Sequence, residues 1–268
     1  MSGKGWTPEQ VKLAFHLYCQ LPFGRLHHSN PEIIALAELI GRTPSAIAMK
    51  LTNLASLDPA IIASGRKGLS GASKLDRAIW DEFHADWEGL VLESMQIRAQ
   101  FEGGKDASSG IEQPKVSTLE DFTGETRTQS VQQRVKQSFF RRAVLSSYGN
   151  RCCITGLSEP RLLIASHIVP WSQDKANRLN PSNGLCLSAL YDRAFDQGLM
   201  TFDEDWRVVL SYRLKQPEPA MQRFFESIEG QRIKLPERFS PDPVLMDQHR
   251  EKVFISECFY LLCFHSIL

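Results

Sequence analysis

Long apolar runs are missing from this chain. No stretch approaches the roughly 20 apolar residues that span a bilayer, so no membrane partner is expected. The longest run, "CFYLLCFHSIL" at the C-terminus, is too short and carries a histidine, and it reads as a buried terminal element. The N-terminus lacks the basic segment and apolar run of a secretory leader, which makes cytoplasmic the expected location. The six cysteines (Cys19, Cys152, Cys153, Cys186, Cys258, Cys263) contain no C-x-x-C pair. Free thiols in a reducing compartment are therefore expected, not a disulfide framework or a four-ligand zinc site.

Net charge is also missing, with 31 basic and 31 acidic residues. That balance by itself argues against a polyanionic partner, but the distribution is uneven. Residues 101–126 are acidic, whereas 127–158 hold Arg127, Arg134, Lys136, Arg141, Arg142 and Arg151 and no acid. A local basic block can bind a polyanion whatever the total, because counterions are released contact by contact. A solvated helix face remains the alternative. The apolar fraction of 42% and charged fraction of 23% are those of a globular protein long enough for two domains.

What is present begins with helices. In "TPEQVKLAFHLYCQLP", Thr7 is placed as N-cap, Pro8 as first helical residue and Gln10 as the capping-box partner, with Val11, Ala14, Phe15 and Tyr18 at helical spacing. "NPEIIALAELIGRTPSAIAMKLTNLASLDP" reads as two helices joined at Gly41, the second capped by Thr43 and lined by Ile47, Leu51 and Leu54. The pair resembles a helix-turn-helix, and "WTPEQ" is similar to the start of Myb-like three-helix domains. That reading puts Arg42 and Lys50 near phosphates. A plain helical interaction domain fits the pattern equally well. A further helix over "KLDRAIWDEFHADWEGLVLESMQIRAQF" carries Leu75, Ile79, Phe83, Trp87 and Leu90 as its apolar stripe. The pattern then dissolves into "EGGKDASSGIEQPK", a linker by composition. The expected organisation is a helical, DNA-reading or interaction domain over 1–100, a flexible linker over 101–126 and a second domain over 127–268.

The second domain opens with a helix from about Ser130 to Tyr148, with Arg134, Ser138, Arg141 and Arg142 on one face. "CCITGLSEPRLLIASHIVPW" reads as two short strands around a turn, the second ending in His167. A loop at Asn180–Gly184 leads to a helix over Leu185–Phe195, and "MTFDEDWRVVLS" reads as a hairpin. The order is a ββα unit, and the fold class is α+β.

"ASHIVPW" and "NGLCLSALYDRAFDQGL" resemble the HNH endonuclease family, specifically its restriction-endonuclease branch with S-H-I-x-P-W and N-G-L…F-D-x-G-L motifs. The resemblance covers roughly 127–252. It implies that His167 is the general base and that Asn183 holds the loop and orients it. It also implies metal ligands at Ser166, Asp192 and Asp196, the two aspartates being four residues apart on one helical face. Histidine is common at those helix positions in the family. Two aspartates suit Mg²⁺ or Mn²⁺ better than Zn²⁺. Ser166 is a weak ligand, and the Cys₄ zinc site of fuller members is absent.

The implied activity is metal-dependent hydrolysis of DNA phosphodiesters in a restriction or defence setting. Arg134, Arg141, Arg142 and Arg193 are the expected phosphate contacts. Cutting both strands with one site per chain would favour a homodimer. The competing reading, motivated by Ser166 and zero net charge, is a DNA-binding regulatory protein with an inactive HNH unit.

Overall fold

The computed structural model describes residues 5–65, 71–103, 124–215 and 218–256, with 124–129 as backbone alone. Most of the expected linker and the apolar C-terminal tail lie outside the described residues.

Six helices form the first part: α1 (Pro8–Gln20), α2 (Pro31–Ile40), α3 (Pro44–Ala55), α4 (Pro59–Ala63), α5 (Lys74–Ala85) and α6 (Trp87–Phe101). Their ends follow from local chemistry. Thr7 and Gln10 make a reciprocal capping box at α1, Gly41 takes the left-handed conformation after α2 at φ 67°, and the Thr43 hydroxyl caps α3. The single helix expected over 74–101 is broken at Asp86. Its extended backbone ends α5, and its side chain accepts from Gly89 N to start α6. An Asp that can bond a backbone N–H two or three residues on competes with helix continuation.

Phe15 is the packing centre of this part, with Phe83 at 4.2 Å and Trp80 at 5.3 Å, both edge-on. Burying a side chain of that size contributes roughly 1.5–3 kcal/mol. α1 also packs on α7 (Gly124–Ser147), and α7 in turn packs on the sheet that follows. A buried arginine ties the same regions together. Arg238 donates to Tyr18 O and to Ser146 Oγ (3.1 Å), and its guanidinium lies 4.8 Å from the Tyr18 ring centre.

The two phosphate contacts expected in the helical part are used internally. Lys50 is 5% exposed and pairs with the fully buried Asp76 at 2.7 and 3.0 Å. Arg42 donates to Gln10 Oε1 at 2.8 Å and sits 4.9 Å over the Trp6 ring. A buried lysine stays charged at low cost only when paired, so Lys50 is a structural strut and not a phosphate contact.

The second part is α+β. β1 (Leu163–His167) pairs antiparallel with β2 (Gly184–Ser188), in a register that sets His167 opposite Gly184 and Ser166 opposite Leu185. α8 (Ala189–Asp196) packs back on both strands, and β3 (Met200–Phe202) pairs with β4 (Val208–Leu210) as the expected hairpin. Short helices α9 (Pro219–Phe224) and α10 (Pro243–Lys252) complete the described chain. Two expectations are corrected. Residues 153–155 form a turn, and the partner of the histidine strand is Gly184–Ser188, which the sequence pattern puts at the end of the loop and the start of the helix. No described helix is long and apolar enough to cross a membrane.

Candidate active site

His167 ends β1, where the chain leaves the sheet. One face of its ring lies on Phe140 of α7, with centroids 3.8 Å apart and planes within 9°, and the Trp171 ring stands edge-on at 5.5 Å. Its Nε2 is 3.0 Å from the Arg178 carbonyl oxygen. A carbonyl can only accept, so Nε2 carries the proton and the lone pair of the neutral ring is on Nδ1. Burial lowers the imidazole below its usual pKa, against the opposing pull of the Arg178 carbonyl. The ring is therefore less basic than an unperturbed histidine and is neutral at cellular pH.

The loop from 168 to 183 is held by Asn183, which is fully buried. Its Oδ1 accepts from Val169 N at 2.8 Å, and its Nδ2 donates to Val169 O (3.1 Å) and Asn177 O (3.2 Å). With its amide engaged this way, Asn183 holds the loop. A glycine is required next to it for steric reasons. A Cβ on Gly184 would lie 2.3 Å from Val144 Cγ2 and 3.0 Å from Phe140 Cζ, so only glycine lets α7 bring Phe140 onto the histidine.

Ser166, the residue before His167 on β1, meets Asp192, and Asp192 in turn lies near Asp196, one turn along α8. The Ser166 hydroxyl is buried and faces the Asp192 carboxyl without a hydrogen bond of good geometry. Burial pushes Asp192 up, against the pull of the Ser166 hydroxyl and the Arg193 charge. Burial and the neighbouring Asp192 charge push Asp196 up to about 6, although part of that residue is open to solvent. Two carboxyls pushed up by burial, the charge of one raising the other, and an unsatisfied hydroxyl form an all-oxygen donor set whose negative charge Arg193 only partly offsets. That set fits a hard divalent cation whose remaining positions are filled by water. It does not fit a zinc site of soft ligands. Among the described residues, no three His, Cys, Asp or Glu side chains are grouped to hold a metal.

The expected phosphate contacts separate into two groups. Arg193 is exposed on α8 beside the aspartates, and Arg134 is exposed on α7. Arg141, by contrast, donates to Leu163 O (2.8 Å) and Pro160 O (3.0 Å), holding the start of β1. Arg142 pairs with Glu32 of α2. Arg141 and Arg142 are engaged within the protein. Sequence reasoning missed Phe140 and Arg178, and it took Gly184 only as a loop residue. Packing alone brings Phe140 and Arg178 to the ring, and no local pattern marks them.

The ββα unit therefore carries a strand-end histidine, a buried loop asparagine and two carboxylates on the following helix. Residues 152–203 match the sequence profile of an HNH endonuclease family. No curated protein matches the chain. Among solved structures, it is similar to a modification-dependent restriction endonuclease, TagI, at 19% identity and a TM-score of 0.32. That match covers 42% of this chain and 37% of the other, so this chain spans little more than a third of that protein.

Proposed function

We propose that the protein is a metal-dependent endonuclease that hydrolyses phosphodiester bonds in double-stranded DNA, with a restriction or other defence role. The observation that carries this is the Nε2–H···O=C bond from His167 to Arg178, which leaves Nδ1 as a fixed proton acceptor on the same ββα unit that carries the Ser166, Asp192 and Asp196 oxygens. The restriction setting rests on the resemblance of "ASHIVPW" and "FDQGL" to that branch of the family.

The chemistry assigned to the chain's own groups is short. Nδ1 of His167 takes a proton from water as the water oxygen bonds to phosphorus in line with the leaving 3′ oxygen. The bond from phosphorus to that oxygen breaks, leaving a 5′-phosphate and, after protonation from solvent, a 3′-hydroxyl. Phe140 and the Arg178 carbonyl fix the ring's plane and tautomer, so little rotation has to be frozen out when the water attacks. Arg193 provides a guanidinium for the phosphate oxygens. A hard divalent ion held by Asp192 and Asp196, with Ser166 or water beside them, would neutralise charge on the phosphate and the departing oxygen.

The deciding experiment is plasmid cleavage by purified protein with Mg²⁺, Mn²⁺ or EDTA, beside His167→Ala and Asp192→Ala. Nicking or linearisation that needs metal and is lost in both variants is the expected result. Binding of plain or modified DNA without cleavage under any metal would instead establish the regulatory reading.

A further inference from the structure

The support of His167 does not end at the matched segment. Glu88, the second residue of α6, accepts from Lys136 Nζ at 2.6 Å and from Arg178 Nε at 2.5 Å, and its carboxylate also pairs with Arg178 Nη2. These contacts span 48 and 90 positions of sequence. Each cation belongs to an element that touches the histidine. Lys136 lies one helical turn before Phe140 on α7, the residue whose ring covers His167. Arg178 supplies the carbonyl that bonds Nε2, and its guanidinium lies 5.4 Å over Trp171, which stands edge-on to the same histidine. Both supports of the ring therefore meet at one carboxylate.

That carboxylate is well suited to the task. It sits in the first turn of α6, where the helix dipole favours an anion. The adjoining Asp86 cap and the 2% exposed Trp87 anchor this end of the helix. Burial pushes Glu88 up, but Arg178 and Lys136 together outweigh it and hold the carboxyl below its usual value. All three side chains are largely enclosed, with 23%, 14% and 21% of Glu88, Lys136 and Arg178 exposed. Pairs this shielded from solvent are stronger and better defined in geometry than surface ion pairs.

We infer that Glu88 is a positioning residue for His167: by clamping Lys136 and Arg178 it holds the Phe140 face and the Arg178 carbonyl against the ring, so the helical part of the chain sets the geometry of the proton acceptor. The structural half of this inference stands by itself; its catalytic consequence rests on the nuclease reading above. Without Glu88, two neighbouring cations repel and the 171–179 loop loses its only anionic anchor to α6 among the described residues. The Nε2–H bond then opens more often.

The test uses the full-length protein with ¹⁵N-labelled histidine at pH 8, where the ring is neutral. Wild type should show a ring N–H proton on His167, assigned by its absence in His167→Gln, that exchanges slowly with water. In Glu88→Gln that proton should exchange at least about tenfold faster while core backbone amides keep their protection. With metal and plasmid, kcat should fall at least about tenfold, the scale seen when an outer partner of a site residue is removed, with KM for DNA within about twofold. Arg178→Met, which keeps an apolar stem over Trp171, should reproduce both effects and covers the case in which Glu88→Gln folds poorly. Unchanged ring-proton exchange in both variants would overturn the inference. A wild type that never cuts DNA would remove only the nuclease reading, because ring-proton exchange still decides the role of Glu88.

Discussion

His167 and Phe140 lie flat against one another, 3.8 Å between ring centres, although 27 positions of chain separate them. The stack exists because Gly184, opposite His167 in the sheet, has no Cβ to hold α7 away. Gly184 has an ordinary extended backbone at φ −133°, so an alanine there would meet a purely steric obstacle.

Gly184→Ala should therefore destabilise the protein by about 1–3 kcal/mol, the usual cost of overpacking a core. The new methyl collides first with Val144 Cγ2 at 2.3 Å. Adding Val144→Ala should recover part of the loss by opening that space, even though each single change is destabilising. Urea unfolding of the two single variants and the double variant checks this. Additive losses in the double variant would mean that the close approach at Gly184 has another cause.

A second test concerns Lys50, which the helix-turn-helix pattern suggests for phosphate binding and the structure buries against Asp76. Lys50→Ala leaves a carboxylate with no exposure and no cation, and it should cost about 3–5 kcal/mol. Asp76 is also the capping-box partner of Ser73 at the start of α5, so its loss would fray that helix. DNA affinity of the folded fraction should be unchanged, read from binding curves at a temperature where the variant is still native. A uniform loss of affinity with a shallower salt dependence would instead restore Lys50 as a phosphate contact.

Lys50 also marks where the sequence is legible and where it is not. The caps at Thr7, Gly41 and Thr43 can be read directly, because each satisfies backbone groups within about three residues. Motif spacing singles out His167, Asn183, Asp192 and Asp196 for the same reason: they lie on one short unit. The Asp76 partner of Lys50 is 26 positions away and leaves no local mark. Strand pairing fails similarly. "CCIT" and "GLCLS" are both short apolar runs, and periodicity cannot say which one lies beside "LIASH". "LCLSALYDRAF" also keeps apolar residues at helical spacing through β2 and into α8, which hides the boundary at Ser188. Phe140, Arg178 and Glu88 reach the histidine only through packing of distant elements.

Stability should fall in mild acid partly because of His249. This histidine of α10 is 2% exposed and stacked on Phe195 at 3.7 Å. Its Nε2 donates to Phe195 O (3.1 Å), and Nδ1 accepts from the Thr201 hydroxyl (3.0 Å). Burial lowers it to about 4, only partly countered by the Phe195 carbonyl. A base with a depressed folded pKa is protonated first in the unfolded chain. Its contribution is therefore complete above the unfolded value near 6.5 and drains away as pH falls toward 4. From pH 7.5 to 4.5 that amounts to roughly 2–3 kcal/mol. Unfolding curves at both pH values should show a loss in wild type that is smaller by about this amount in His249→Gln, and equal losses would refute the assignment.

The aspartate pair predicts the opposite trend, and a cation should remove it. Asp196 is pushed up to about 6 by burial and by Asp192, so without metal the folded state holds that proton more readily than the unfolded chain. The resulting penalty is present at neutral pH and is relieved as pH falls through 6. Asp192→Asn removes the neighbouring charge, so without metal this variant should be at least as stable as wild type at pH 7.5. Adding Mg²⁺ or Mn²⁺ should reverse the order. A ligand that binds only the folded state stabilises it by about 2.7 kcal/mol at a hundredfold excess over Kd. Wild type should gain in this way, whereas Asp192→Asn and Asp196→Asn should gain little, because each leaves one carboxylate to hold the ion. Thermal unfolding with metal and with EDTA reads both effects. A rise in Tm that is equal in wild type and both variants would place the bound ion somewhere other than these aspartates.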